Sequence, residues 1–289
     1  SEAECFFHKL DHRNEHSWTS LIIGYVQCGY FQDALDLYEK MQKCEDSLHP
    51  NGHTFVSLLK SCAKIKDLQE CIKIHADVVK SGLLSKELYI ANTLVRLYAK
   101  CGDFAKAQEV FDDLLVRNVV SWSSLIVGYA EEKKGREALQ CLEGMRNEGI
   151  FPDAVCLLCI LMTCSDIGAI DNGKEIHIEI MSRGLLEKDS VLGNALVDMY
   201  AKIGVLAKSQ EMFDELSIRD VVTWNSLISG YTQQGRGEEA LNCFRRMQCD
   251  NISPDAVTFL CVLTACSHSG LVDEGLIHLK SMSRKYGLE

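Results

Sequence analysis

The sequence predicts an all-α solenoid of stacked helix-turn-helix repeats, and a long internal period is the first reason. The chain's three prolines, Pro50, Pro152 and Pro254, follow one another at intervals of 102 residues. Proline fixes φ and cannot continue a helix, so each proline marks the same chain reversal in successive copies of one unit. Because a fixed period is typical of repeat proteins, function is expected along the length of the chain and not in a single pocket.

A helical apolar pattern is the second reason. Trp122, Leu125, Ile126 and Tyr129 are spaced i, i+3, i+4 and i+7, which places them on one face of a helix. The same pattern occurs at Trp18, Leu21, Ile22 and Tyr25 and at Trp224, Leu227, Ile228 and Tyr231. Each stripe predicts the first helix of a hairpin.

A second apolar stripe follows each first one and predicts the second helix. Its members are Ala34, Leu35, Tyr38 and Met41, then Ala138, Leu139, Leu142 and Met145, then Ala240, Leu241, Phe244 and Met247. Gly24, Gly128 and Gly230 lie beside the first stripes, where a missing side chain permits close helix approach, and Gly102 and Gly204 mark interhelix turns. Each hairpin leaves an apolar face open, so it is stable only when stacked on neighbours.

Three kinds of unit, of 36, 31 and 35 residues, make up one period. The predicted domains are a partial short repeat at 1–14, standard repeats at 15–51, 119–153 and 221–255, long repeats at 52–87, 154–189 and, truncated, 256–289, and short repeats at 88–118 and 190–220. Lengths that alternate in this way argue against the uniform 34-residue tetratricopeptide repeat.

Composition excludes several classes of protein. The net charge of −11 argues against a nonspecific polyanion binder, and no apolar run approaches a membrane span. Fourteen cysteines are present, and three of them, Cys62, Cys164 and Cys266, occupy one equivalent position in apolar runs. Free cysteine packs as a small hydrophobe, so we expect free thiols in a reducing compartment, with neither disulfides nor metal.

The alternating lengths, and a Pro followed by Asp or Asn near the end of each standard unit, closely resemble the pentatricopeptide repeat family of land plants, in its subclass of alternating standard, long and short (PLS) repeats. The resemblance extends over essentially the whole chain. It implies a right-handed superhelix that binds single-stranded RNA, one base per repeat. It further implies a mitochondrial or chloroplast site-recognition factor for C-to-U RNA editing, with a deaminase domain or editing-complex proteins as partners.

In that family the fifth and last residues of a repeat recognise the base, and we call these two residues the coding pair. The resemblance assigns Thr19 and Asn51 to adenine, Asn92 and Asn118 to cytosine, Ser123 and Asp153 to guanine, and Asn194 with Asp220 and Asn225 with Asp255 to uracil. Second residues sandwich the base, here Val120, Val191 and Val222, whereas His16 and Tyr89 replace valine in two repeats. The long repeats carry Val56, Leu158 and Leu260 at the fifth position and resemble spacers. The implied preference is A-N-C-G-N-U-U.

Two alternatives to this interpretation remain. An Asn or Ser at a helix start also serves as a cap or is simply solvated, although five polar pairs in one register favour base recognition. A helical-repeat scaffold that binds a protein in an organellar assembly or ribosome would use the same surface. Lys100, Lys202 and Lys64 are candidate phosphate contacts or solvated helix ends.

No enzymatic motif is complete, so we expect no catalysis and no cofactor. Residues 168–175 approach a phosphate-binding loop but lack its Ser or Thr, and no strand is predicted before them. His177 and Glu179 resemble the His-x-Glu motif of zinc deaminases, and Cys156-x-x-Cys159 resembles the cysteine pair of those enzymes. Here the cysteine pair precedes the His-x-Glu motif, which is the reverse of the order in the deaminases. His75 and His177 are better interpreted as packing or turn residues.

Residues 256–289 resemble the final long repeat of editing factors. We therefore expect this chain to bind RNA without editing it. We also expect self-association through uncovered hairpin faces at its ends.

Overall fold

In a computed structural model of the chain, residues 14–43, 50–84, 86–186 and 190–287 are described. These ranges contain 16 helices and no strand, which confirms the predicted all-α class. The helices are α1 Glu15–Gln27, α2 Phe31–Gln42, α3 Gly52–Ile65, α4 Leu68–Lys80, α5 Leu88–Lys100, α6 Phe104–Asp112, α7 Val119–Glu131, α8 Gly135–Asn147, α9 Ala154–Ile167, α10 Ile170–Ser182, α11 Ser190–Ile203, α12 Leu206–Glu215, α13 Val221–Gln233, α14 Gly237–Cys249, α15 Ala256–His268 and α16 Val272–Tyr286. The predicted partial repeat at 1–14 lies, except for Asn14, outside the described residues.

Two compact units divide the chain, Ser1–Asp153 and Ala154–Glu289. In the first unit α1, α3, α5 and α7 pack one against the next, and each also packs against the helix that follows it. The second unit repeats this arrangement, with α9, α11, α13 and α15 as the first helices of its hairpins. Within each unit the first helices therefore form one layer and the second helices another.

The predicted apolar stripes form the core between these layers. Trp224, Leu227 and Ile228 are fully buried, and the second-helix residues Ala240 and Met247 are buried against them. Trp224 meets the Phe213 ring edge-on at 4.5 Å between ring centroids. Trp122 meets Phe111 in the same way at 4.7 Å, so the two units pack this aromatic pair alike.

Glycine permits the predicted close approach between first helices in both units. A Cβ added at Gly128 would collide with the Ala99 side chain, and one at Gly230 would collide with that of Ala201. At Gly24 no described atom lies within 4 Å of such a Cβ. Gly102 and Gly204 form the predicted turns with φ of 81° and 89°, a left-handed conformation that favours glycine.

The twelve described cysteines are free thiols. Cys62, Cys164 and Cys266, at their equivalent positions, are buried in the core, as expected for a small apolar side chain. Among the helices of the described ranges, none combines the length and apolar character needed to cross a bilayer.

Candidate nucleic-acid interface

The last residue of a predicted repeat begins the first helix of the next one. Side chains at this position cap their helices by accepting a hydrogen bond from the backbone N–H three residues later. Five such caps are Asn14 to Ser17 at 2.9 Å, Asn51 to Thr54 at 3.0 Å, Asn118 to Ser121 at 3.0 Å, Asp220 to Thr223 at 2.9 Å and Asp255 to Thr258 at 2.8 Å. The capping role considered in the sequence analysis is therefore present at these five positions.

The fifth residue of each repeat lies one turn into its first helix, at the edge of the core. Thr19, Asn92, Ser123 and Asn225 are each less than a tenth exposed, and Asn194 is half-buried. Polar groups at such depth require hydrogen-bond partners. Their burial distinguishes them from the solvated helix ends that the sequence allowed as an alternative.

In the second unit the structure joins the two members of each coding pair directly. The amide nitrogen of Asn225 donates to Asp255 Oδ1 at 3.0 Å. The amide nitrogen of Asn194 donates to both carboxylate oxygens of Asp220, at 3.2 and 3.3 Å. Each capping residue therefore also orients the fifth residue of its own repeat.

A hydroxyl that sequence reasoning missed bridges each of these pairs. Thr258 Oγ1 donates to Asn225 Oδ1 at 2.6 Å and approaches Asp255 Oδ1 at 2.9 Å. Thr223 makes the equivalent contacts to Asn194 and Asp220 at 2.6 and 2.9 Å. The capping-box pattern, Asn or Asp followed three residues later by Ser or Thr, is the feature of the sequence that predicts such a hydroxyl.

The two carboxylates of the second unit act as hydrogen-bond acceptors. Burial alone would raise the pKa of Asp255, but hydrogen bonds from the Thr258 backbone, from Asn225 and from the Thr258 hydroxyl outweigh it and lower the pKa. The pKa of Asp220 is lowered for the same reason, against its own burial, by Thr223 and Asn194. Both side chains are therefore ionised at neutral pH and cannot donate.

The first unit leaves polar atoms of two coding pairs without partners. Asn92 Oδ1 and Ser123 Oγ are buried and make no hydrogen bond. Thr19 differs, because its hydroxyl lies 2.7 Å from the buried Thr54 hydroxyl. An unsatisfied buried polar atom costs about 1–3 kcal/mol, so these two atoms favour a ligand that supplies the missing hydrogen bond.

Second residues of the repeats are apolar and exposed. Val120, Val191 and Val222 are between 52% and 56% exposed. Val155 and Val257, the second residues of two long repeats, are exposed to a similar degree and belong to the same register, although they were not singled out from the sequence. Exposed apolar side chains beside buried polar ones provide both stacking contacts and hydrogen bonds for a planar base.

The candidate phosphate contacts differ from one another. Lys202 forms an ion pair of 2.7 Å with Asp198 on its own helix, so its charge is already neutralised. Lys64 is exposed and Lys100 is half-buried. The fifth residues of the long repeats also differ, because Leu260 is exposed, whereas Val56 and Leu158 are half-buried.

The incomplete enzymatic motifs form ordinary helix contacts. Gly173 and Lys174 belong to α10, and Lys174 pairs with Asp171 at 3.3 Å. His177 Nδ1 lies 2.9 Å from the Tyr200 hydroxyl, and its ring meets that of Tyr200 edge-on, as expected for a packing residue. In the described ranges no three His, Cys, Asp or Glu side chains cluster in a way that could hold a metal ion.

Two family models match most of the chain. The model described as the PPR repeat family matches residues 13–64 and 219–268. The model described as the PPR repeat matches residues 53–83, 89–119, 120–150 and 257–286. Together these matches cover more than half of the sequence and include both units.

Similar proteins are known from plants. A mitochondrial pentatricopeptide repeat-containing protein of Arabidopsis thaliana is 33% identical over 289 residues, which cover 100% of this chain and 44% of that protein. A chloroplastic one from the same plant is 36% identical over 273 residues, which cover 94% of this chain and 50% of the relative. The chain thus spans about half the length of these relatives.

A solved structure shows the same fold. The pentatricopeptide repeat protein PPR10, crystallised with an 18-nt psaJ RNA element, superposes with a TM-score of 0.79 at 22% identity. The match covers 96% of this chain and 41% of PPR10. The predicted helical-repeat fold is thereby confirmed.

Proposed function

The chain belongs to the pentatricopeptide repeat family, and from this premise we propose that it binds single-stranded RNA in a sequence-specific way, one base per repeat. The observation that carries the proposal is the recurrent site at the repeat junctions. There an exposed apolar second residue, a buried polar fifth residue and a capping last residue occur in one register. The PPR10 structure contains RNA, which supports the same ligand here.

The pairs of the second unit suit uracil. The Watson–Crick edge of uracil presents one N–H donor between two carbonyl acceptors. The Asp255 carboxylate accepts only. Its Oδ1 takes the hydrogen bonds from Asn225 and Thr258, the Val257 backbone donates a further one to the carboxylate, and a remaining lone pair of Oδ2 would accept from the base N–H. The second N–H of the Asn225 amide can donate to a carbonyl of the base. Asn194 and Asp220 carry the same functional groups, although Asp220 Oδ2 already accepts from Asn194 at 3.3 Å and would accept from the base through its other lone pair.

The unpartnered atoms of the first unit suit two other bases. Asn92 Oδ1 is an acceptor, and cytosine presents an exocyclic amine that donates to it. Ser123 Oγ carries a donor for the O6 carbonyl of guanine, with Asp153 as the acceptor for the guanine N–H groups. The resulting preferences are A-N-C-G for the repeats of the first unit and N-U-U for those of the second.

Electrostatics limit the affinity. The net charge is −11, and Lys202, one of the three candidate phosphate contacts, is already paired. Nonspecific binding depends on phosphate neutralisation and falls steeply with salt. We therefore expect modest affinity, a shallow salt dependence and a large contribution from base contacts.

The cellular role follows from the relatives by analogy. One of the relatives described above is named mitochondrial and the other chloroplastic, so we propose an organellar location. Within that setting the alternating repeat lengths favour a site-recognition factor for C-to-U editing, with the chemistry supplied by a deaminase domain or by editing-complex proteins. The chain itself would supply recognition and no catalysis.

Fluorescence anisotropy with two labelled RNAs tests the proposal. One carries A-N-C-G-N-U-U with adenine at both N positions, and the other carries the same bases in reverse order. Mismatches cost about 1–3 kcal/mol each, so the reversed RNA should bind at least tenfold more weakly. Equal binding of both RNAs, or binding of a helical peptide but of no RNA, would favour a protein-binding scaffold instead.

A further inference from the structure

An aromatic pair occupies two neighbouring second positions in the first unit. His53 is the second residue of repeat 52–87, and Tyr89 is the second residue of repeat 88–118. Their rings are stacked, with centroids 5.9 Å apart and planes inclined by 28°. Tyr89 is 42% exposed, so the stack is open to solvent on one side. The equivalent residues of the second unit, Val155 and Val191, are aliphatic.

A carboxylate lies beside this stack. Glu87 is the last residue of repeat 52–87, and its buried Oε2 lies next to the Tyr89 hydroxyl, which leaves the remaining lone pairs of the carboxylate for a ligand. A Cβ placed on Gly52 would collide with both the Glu87 carboxylate and the Tyr89 hydroxyl, so only glycine leaves room for this arrangement. Burial, and then a hydrogen bond to Glu87 and the charge of Glu87, raise the pKa of Tyr89 to about 12. The second copy has Ala154 in place of Gly52.

We propose that repeat 52–87 binds a guanine, stacked between His53 and Tyr89 and hydrogen-bonded through its N–H groups to Glu87. This inference rests on the proposed function and changes one base of it. The fifth residue Val56 predicted a spacer, whereas the aromatic pair and the carboxylate make this repeat a base-binding site. The preference of the first unit becomes A-G-C-G.

Stacking supplies the first part of the binding free energy. Aromatic side chains strengthen binding by roughly 5- to 150-fold for each base stacked on them. An inserted base requires about 6.8 Å between the flanking rings, twice the 3.4 Å spacing of stacked bases. The two rings therefore need to move apart, which an exposed tyrosine at the start of a helix can provide by side-chain rotation. Purines gain more than pyrimidines because they cover more of both rings.

The carboxylate supplies the discrimination among bases. An ionised Glu side chain accepts hydrogen bonds and cannot donate them. Guanine presents two adjacent donors, N1–H and the N2 amine, which match the two oxygens of one carboxylate. Adenine and cytosine each present one amine beside an acceptor, and uracil presents one donor between two acceptors. The expected order is guanine first and uracil last.

RNAs that differ only at the second position of A-N-C-G-N-U-U test the inference. Guanine should bind about tenfold more tightly than uracil there, within the range for base-edge contacts. An abasic second position should weaken binding about tenfold, the lower part of the stacking range. An abasic fifth position, opposite Leu158, should weaken binding less than threefold.

Four variants separate the contributions. Tyr89→Val and His53→Val introduce the valines of the second copy. In each of them the abasic second position should weaken RNA binding much less than it does in the unmodified protein. Glu87→Gln should remove the preference for guanine, but the abasic second position should weaken its RNA binding as much as in the unmodified protein. Tyr30→Val is the matched control, because Tyr30 is an exposed tyrosine outside the second positions, and it should change neither. Circular dichroism melts establish that each variant is folded. If Tyr89→Val does not fold, His53→Val tests the stacking in its place.

The outcomes distinguish this inference from the proposed function. RNA binding that discriminates at the third, fourth and seventh positions but treats all four bases alike at the second overturns the inference alone. An unchanged abasic penalty in both Tyr89→Val and His53→Val overturns the stacking. Failure to bind any of these RNAs overturns the proposed function itself.

Discussion

The amide nitrogen of Asn225 donates a hydrogen bond of 3.0 Å to Oδ1 of Asp255, although the two residues are 30 positions apart. Asp255 simultaneously caps α15 through the Thr258 backbone at 2.8 Å. One carboxylate thus ends a repeat, begins the next helix and fixes the orientation of the fifth residue. In the proposed function, such a link positions the two side chains before a base binds, which reduces the entropy lost on binding.

Thr258→Val should weaken both stability and base discrimination. The substitution removes the hydroxyl that bonds to Asn225 at 2.6 Å and leaves a buried acceptor unpaired. We expect the free energy of unfolding to fall by about 1–3 kcal/mol and the preference for uracil at the seventh base to decrease. Urea denaturation and anisotropy measure the two effects. Thr264→Val is the control, because the Thr264 hydroxyl bonds to the Leu260 carbonyl of its own helix. If Thr264→Val lowers the free energy of unfolding as much as Thr258→Val does, the account is contradicted.

The fold was predictable because its determinants are local and recur. Stripes such as Trp224 to Tyr231 define a helix face by spacing alone, and the period of 102 residues repeats that face. The fifth and last residues could be placed in register for the same reason. Their contacts could not be predicted, because the Thr258 hydroxyl comes from the next repeat and reaches Asn225 only after the hairpins stack.

Other features of the site depend on side-chain orientation. Asp198 and Lys202 have the i, i+4 spacing that indicates an ion pair on a helix, whereas nothing in the spacing indicated that the rings of His53 and Tyr89 would stack. Rotamer choice at exposed positions follows from neighbours in space and not from sequence period. The repeat boundaries and the base assignments remain proposals.

Gly230→Ala should destabilise the second unit. The added methyl group would collide with the Ala201 side chain where two first helices approach. Overpacking of this kind costs about 1–3 kcal/mol, which exceeds the roughly 1 kcal/mol that Ala gains over Gly in a helix. The double variant Gly230→Ala, Ala201→Gly moves the methyl group to the other helix and should recover most of the lost stability. Thermal melts in which the double variant is less stable than Gly230→Ala would contradict this packing.

Stability should fall as the pH is lowered from 7.5 to 5.5. Burial, and then Lys208, lower the pKa of His177 below its usual 6.5 against the opposing effect of Glu215 and Glu211. The unfolded state therefore binds the proton more readily, so the contribution is full above about pH 6.5 and is lost as the pH falls toward the folded pKa. The slope for one histidine stays below about 1.4 kcal/mol per pH unit.

His177→Leu tests the source of this pH dependence. Leucine is the residue that the third copy carries at the equivalent position, Leu279. The variant should lose stability at pH 7.5 with the hydrogen bond to Tyr200, yet show a smaller decrease between pH 7.5 and 5.5. His75 contacts Tyr98 in the same way, so the stability of the double variant with His75→Leu should depend even less on pH. Slopes equal to that of the unmodified protein would contradict the assignment.

Thiol reactivity should follow burial. Cys28 and Cys249 are exposed, whereas Cys62 and Cys164 are fully buried, and burial raises the pKa of Cys164 to about 11. A maleimide at pH 7.5 should label the first two rapidly and the others only in denaturant, as mapped by peptide mass spectrometry. Reductant and chelator should leave the melting temperature unchanged. Stoichiometric zinc, or a disulfide in the intact protein, would show that the cysteines do more than pack.

Exchange of one coding residue tests sequence-specific RNA recognition most directly. Seven-base RNAs with each of the four bases at the last position are titrated against the unmodified protein, Asn225→Thr and, as control, Asn242→Thr on the exposed face of α14. The unmodified protein and the control should prefer uracil by about tenfold, equivalent to about 1.4 kcal/mol, and Asn225→Thr should prefer guanine because Asp255 is retained. If Asn225→Thr keeps the base profile of the unmodified protein, the proposed recognition of RNA by coding pairs is wrong.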